Sequence, residues 1–66
     1  MYTYAKTQLE LEPDLTLDEL KILMKKGLEY NTKTFDMPEN ARGFSESLKW
    51  LEQFKTIEEV KGALNL

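Results

Sequence analysis

The chain has 66 residues, of which 41% are hydrophobic, and it carries a net charge of −3 with no histidine and no cysteine. This length limits it to one small domain, and the apolar content is typical of a folded chain. The missing cysteine excludes disulfides and thiolate metal sites, and the missing histidine removes the commonest general base and zinc ligand. We therefore expect a non-enzymatic protein without a metal or cofactor.

The sequence carries no membrane or export signal. Its apolar runs are far shorter than the roughly 18 residues that a transmembrane helix needs, and residues 1–10, MYTYAKTQLE, lack the apolar region of a signal peptide. These features predict a cytoplasmic protein with no membrane partner.

The charges are unevenly distributed along the chain. Residues 1–19 have one lysine and five acidic residues, a net charge of −4, whereas residues 20–35 have four lysines and one acidic residue, a net charge of +3. Residues 36–66 have four basic and six acidic residues, a net charge of −2. The overall acidity argues against nucleic acid as the partner, because phosphate contacts need positive charge.

Residues 2–12, YTYAKTQLELE, are predicted to form an N-terminal strand, because Tyr and Thr favour strands and residues 9–12 alternate between Leu and Glu. Pro13 would end this strand. A strand of this length has an exposed edge. We expect the edge to pair across a homodimer or to join the sheet of a partner protein.

A helix is predicted over residues 16–29, where Thr16 and Glu19 have the spacing of a capping box. Its apolar stripe comprises Leu17, Leu20, Leu23, Met24 and Leu28. Gly27 either ends this helix or lies inside it. The segment that follows, NTKTF, is polar and compatible with a second short strand near residues 32–35.

A second helix is predicted over residues 37–54, with Asp36 as its N-cap and Glu39 completing a capping box. Its stripe comprises Ala41, Phe44, Leu48 and Leu51. Thr56 and Glu59 open a third helix over residues 57–64. The predicted fold is therefore a single α+β domain, mainly helical, with three short helices around one small core.

Two surface patches are candidate binding sites. The aromatic patch comprises Tyr2, Tyr4 and Trp50, of which Trp50 lies off the helical stripe and is either covered by the following segment or exposed as a binding anchor. The basic face of the helix over residues 16–29 comprises Lys21, Ile22, Lys25 and Lys26. We favour the basic face, because burial within the domain accounts for Trp50 but not for an isoleucine among lysines.

The most consistent function is that of a small protein-binding module, inhibitor- or adaptor-like, of the kind that phages and mobile elements encode. Its partner would be another protein. Two alternatives stay open: a homo-oligomeric structural protein and a small helical DNA-binding regulator.

Overall fold

The computed structural model describes residues 2–66, and within them it contains four α-helices and one π-helical turn but no strand. In chain order the helical elements are α1 (Thr3–Leu11), α2 (Leu17–Glu29), the π-helical turn (Tyr30–Thr34), α3 (Pro38–Leu51) and α4 (Ile57–Leu64). The prediction of an α+β fold is therefore wrong, because the described chain is all-helical.

The predicted N-terminal strand over residues 2–12 is instead helix α1. Ala5 and Leu9 are 0% and 1% exposed, and a spacing of four residues places both on one face of a helix. Leu11, which would share a strand face with Leu9, is 73% exposed. No side chain caps the N-terminus of α1. The strand edge predicted to pair across a homodimer or with a partner's sheet therefore does not exist.

The predicted second strand near residues 32–35 is also wrong, because this segment continues α2 as a widened turn. The amide of Phe35 donates to the Tyr30 carbonyl at 3.0 Å, the five-residue spacing of a π-helix. The Asn31 side chain donates to the Gly27 carbonyl at 2.7 Å, and the Thr32 hydroxyl donates to the Leu28 carbonyl at 2.9 Å. Such side-chain bonds compete for the carbonyls that an ordinary α-turn would use, which favours the wider turn.

The core joins all four helices. Helices α2 and α3 form the most extensive pair, and α1 packs against both. The largest fully buried apolar side chains are Leu9 of α1, Leu20 and Met24 of α2, Leu51 of α3 and Val60 of α4. Phe44 and Leu48 of the predicted α3 stripe are only partly buried, and they pack against this cluster.

The helix starts follow the predicted capping signals in two cases out of three. Both Thr16 and Thr56 accept a hydrogen bond from the third helical residue in complete capping boxes. Helix α3 differs, because it begins at Pro38 with Met37 as its N-cap and no side-chain cap. The predicted Asp36 cap is therefore wrong, and α3 ends at Leu51 rather than at residue 54. No helix among residues 2–66 combines the length and apolar character needed to cross a membrane.

Candidate functional site

A groove of about 670 Å³ lies beside the π-helical turn. We call it the π-groove. One wall is α1, the other is the π-helical turn with the segment after it, and α2 and α3 contribute the rest. Its lining residues are all uncharged: Thr3, Tyr4, Thr7, Gln8, Met24, Tyr30, Asn31, Phe35, Met37, Asn40 and Phe44.

Three large apolar side chains of this lining remain open to solvent. Tyr30 is 53% exposed, Phe35 is 49% exposed and Met37 is 47% exposed. The rings of Tyr30 and Phe35 meet edge to face with centroids 5.1 Å apart, a favourable arrangement of aromatic pairs. The π-helical turn thus holds two aromatic rings together at the groove while leaving about half of each in water.

A chain of polar side chains crosses the floor of the groove and joins its walls. The Tyr4 hydroxyl donates to Asn40 Oδ1 at 3.3 Å, and Asn40 Nδ2 lies 3.5 Å from Asn31 Oδ1. Asn31 is buried, and its own amide donates to the Gly27 carbonyl. These bonds connect α1, α3, the π-helical turn and α2, so they fix the relative positions of the groove walls.

Two glycines let aromatic rings pack closely under the groove. A methyl group on Gly27 would lie 2.7 Å from Cδ1 of the Phe44 ring, and one on Gly43 would lie 2.9 Å from Cε2 of the Tyr4 ring. Both rings also contact each other, with centroids 4.5 Å apart. Gly27 is therefore an internal helix residue rather than a helix end, and its missing side chain makes room for Phe44.

Two acidic residues lie beside one end of the lining, in a smaller depression that shares Met37 and Asn40 with the π-groove. Asp36 and Glu39 are exposed and flank Met37 in the sequence. Together with the exposed Glu29 and Lys33, they give residues 29–40 three acidic groups and one basic group, a net charge of −2. The end of the π-groove near Met37 is therefore acidic, although the lining is neutral.

The structure separates the predicted aromatic patch. Tyr2 stacks on Trp50 with centroids 4.9 Å apart, and Trp50 meets Phe54 at 4.7 Å. Trp50 is thus half-buried between a residue before α1 and a residue just after α3. Tyr4 instead lies in the π-groove, so only Tyr2 and Trp50 come together.

The predicted basic face is only partly assembled. Lys21, Ile22 and Lys25 line a depression of about 550 Å³, whereas Lys26 does not line it. Asp18, Leu48 and Glu52 complete the lining, so two acidic groups balance the two lysines. Ile22 is 52% exposed, in agreement with its predicted place on the outer face of α2.

Sequence reasoning did not identify the residues that define the π-groove. Tyr30, Phe35 and Met37 each lie next to polar residues outside the predicted apolar stripes. The sequence does contain one signal for this surface: three large apolar residues occur in a segment that is otherwise too polar to form part of the core. Asn31 and Thr32, which bond back to α2, are the residues that turn this segment into a groove wall.

No three acidic side chains among residues 2–66 come together in a way that could hold a metal ion. The sequence matches no family model and no curated protein, and no solved structure matches the fold.

Proposed function

We propose that the protein is a small, non-enzymatic protein-binding module and that the π-groove is its binding surface. The observation that carries this proposal is the set of three half-exposed apolar residues, Tyr30, Phe35 and Met37, around one uncharged concave lining. Aromatic residues and methionine are enriched in the buried centres of protein interfaces, where charged residues are depleted. Exposed apolar patches of this kind commonly mark interaction sites.

The two surfaces predicted from sequence offer less to a partner. Tyr2 and Trp50 already cover part of each other's rings, so a partner would desolvate less new apolar surface there. The depression on α2 offers one exposed apolar residue, Ile22, among two lysines and two acids. Exposed charges contribute more to encounter than to affinity. We therefore place the binding energy at the π-groove and give the lysines of α2 a secondary role.

The proposal keeps the inhibitor- or adaptor-like role and the cytoplasmic location expected from the sequence. A module of this kind acts by covering or connecting surfaces of its partner, which requires exposed apolar residues and no catalytic group. Fractionation of the cells that produce the protein would test the location.

Site-specific photo-crosslinking in those cells would test the function. A photoreactive amino acid replaces Phe35 in one variant, and Ile22 or Leu66 in two control variants with similar exposure. We expect the probe at Phe35 to capture a discrete protein that the controls capture weakly. The captured protein, once purified, should bind the unmodified chain at least tenfold more tightly than the Phe35→Ala variant, as for a hot-spot residue.

Two results would contradict this assignment. Capture at Ile22 but not at Phe35 would move the binding surface to the predicted basic face. A crosslinked product with twice the mass of the chain would instead support the homo-oligomeric alternative.

A further inference from the structure

We infer that the π-groove takes an amphipathic α-helix of the partner, with basic side chains beside its apolar stripe. This inference rests on the proposed function and specifies the ligand of the same site. Three features carry it: the helical backbone of the walls, the length of the α1 face and the charge at one end of the groove.

The walls favour a helix over an extended segment, because they are helical and offer no strand edge for backbone pairing. In the π-helical turn the carbonyls of Tyr30 and Asn31 already accept the amides of Phe35 and Met37. An extended partner segment in this groove would bury amides and carbonyls without partners, which is costly. A helix satisfies its own backbone and needs only apolar contacts from the groove.

The groove lining along α1, together with the exposed Leu11 just beyond it, has the length of two helical turns. Along α1 the lining runs from Thr3 to Gln8, and at about 100° per residue Leu11 falls on the same face. Leu11 is also the most exposed large apolar side chain among the described residues. From Thr3 to Leu11 the axis of α1 covers about 12 Å. A partner helix with apolar residues at positions i, i+4 and i+7 spans about 10.5 Å, so its three anchors fit this length.

The rim selects a basic helix. Asp36 and Glu39 lie at the end of the groove near Met37, and the groove lining contains no charge of either sign. Lysine or arginine beside the apolar stripe of the partner would meet these carboxylates, whereas acidic residues would be repelled. Opposite charges at a rim increase the association rate and set the orientation.

A second copy of the chain fits this groove less well. An isologous contact would bring the two acidic rims, and two chains of net charge −3, into one interface. The exposed face of α2 cannot supply the apolar stripe either. Positions i+3, i+4 and i+7 from Ile22 are Lys25, Lys26 and Glu29.

Three synthetic peptides of about 16 residues would test the inference, and the two helical ones are stapled because short helices are marginal in water. The basic helical peptide has leucines at i, i+4 and i+7, lysines beside them and alanines elsewhere, with a side-chain staple on the far face. The acidic helical peptide has glutamates in place of the lysines. The alternating peptide has the composition of the basic peptide, but its leucines occupy every second position and it carries no staple.

Binding is measured by titration with backbone amide NMR. We expect the basic helical peptide to shift the amides of residues 3–11 and 30–40, and to bind at least tenfold more tightly than either other peptide. Phe35→Ala should weaken its binding at least tenfold. The double variant Asp36→Lys and Glu39→Lys should remove the preference for the basic over the acidic peptide.

Matched controls separate these effects from general changes in charge or folding. Ile22→Ala removes an equally exposed apolar side chain from α2 and should leave the affinity unchanged. Asp14→Lys with Glu58→Lys makes the same change in net charge away from the groove. Glu39 and Glu58 both lie in the first turn of a helix, so the two double variants also lose similar helix-dipole interactions.

The inference is overturned if the alternating peptide binds as tightly as the basic helical one, or if the shifted amides lie outside the groove. It is also overturned if the basic helical peptide fails to bind at about millimolar concentration, the weak limit of useful affinity. Each of these results leaves the proposed function standing as long as the probe at Phe35 captures a partner in cells. Loss of that capture would refute the proposed function itself.

Discussion

The Gly27→Ala variant tests how the groove is assembled, because two opposing effects act at this position. In an ordinary helix interior, replacing glycine with alanine stabilises the helix by about 1 kcal/mol. At Gly27 the new methyl carbon would overlap the Phe44 ring, lying 2.7 Å from its Cδ1 atom. The contact between this ring and Tyr4, with centroids 4.5 Å apart, restricts how far the ring can move.

The expected magnitude follows from these contacts. Overpacking of a well-packed site costs roughly 1–3 kcal/mol, which cancels or exceeds the gain in helix propensity. Gly62 in α4 is the matched control, because nothing lies within 4 Å of a methyl group added there. We therefore expect Gly62→Ala to stabilise the fold by about 1 kcal/mol and Gly27→Ala to leave the free energy of unfolding unchanged or lower it by up to about 2 kcal/mol.

Thermal unfolding followed by circular dichroism measures the difference. For a domain of this size, 1 kcal/mol shifts the midpoint by roughly 4–8 °C, so the two variants should differ by at least about 4 °C. In a Phe44→Leu background the ring is absent, and Gly27→Ala should then stabilise the fold as Gly62→Ala does. An equal rise in midpoint for both glycine variants in the unmodified chain would refute the packing argument.

Two further predictions concern the core and the aromatic contacts. Leu51→Ala should lower the free energy of unfolding by about 2–5 kcal/mol, because Leu51 is fully buried. Leu48→Ala should lower it clearly less, because Leu48 is only partly buried. Equal losses of the two variants in denaturant titrations would contradict this ranking. Tyr2→Ala should move the fluorescence emission of Trp50 to longer wavelength, because Tyr2 covers part of the indole ring and its removal exposes that ring to water. An unchanged spectrum would mean that Tyr2 does not shield Trp50 in solution.

Sequence patterns predicted helices where a strong capping signal and an apolar stripe coincide. Thr16 and Thr56 each begin a helix with a complete capping box. Leu20 and Met24 are buried at the helical spacing that their stripe predicted. Local sequence is sufficient in these segments, because the hydrogen bonds and the buried face are both encoded within one or two turns.

Helix α1 could not be assigned in the same way, since its two local signals conflict. Tyrosine and threonine favour strands, and alternation over residues 9–12 fits a strand, whereas the spacing of Ala5 and Leu9 fits a helix. Tertiary contacts decide between them. Tyr4 packs on Phe44 and fills the space that Gly43 leaves, and those residues lie about 40 positions away in the sequence.

The candidate site was missed for a related reason. The π-groove depends on a turn whose side chains bond back to the preceding helix, and a polar run such as NTKT is equally compatible with a strand or a loop. Only when Asn31 bonds to Gly27 and meets Asn40 of α3 does the segment place Tyr30 and Phe35 beside α1. Both contacts depend on single polar side chains, and a single residue produces no repeating pattern in the sequence.

The two short terminal helices are held in different ways, and this difference bears on the groove. Helices α1 and α4 have nine and eight residues, and both are too short to be stable without tertiary contacts. Helix α4 has a capping box at its start, and Lys61 donates to the Pro13 carbonyl at 2.6 Å. Helix α1 has no side-chain cap at its N-terminus, so it relies on its buried face and on the bond from Tyr4 to Asn40. Since α1 is one wall of the π-groove, a ligand in the groove binds to the wall that has the least local support. Ligand binding and the folding of α1 are therefore linked, and any helix that the groove accepts also stabilises the fold.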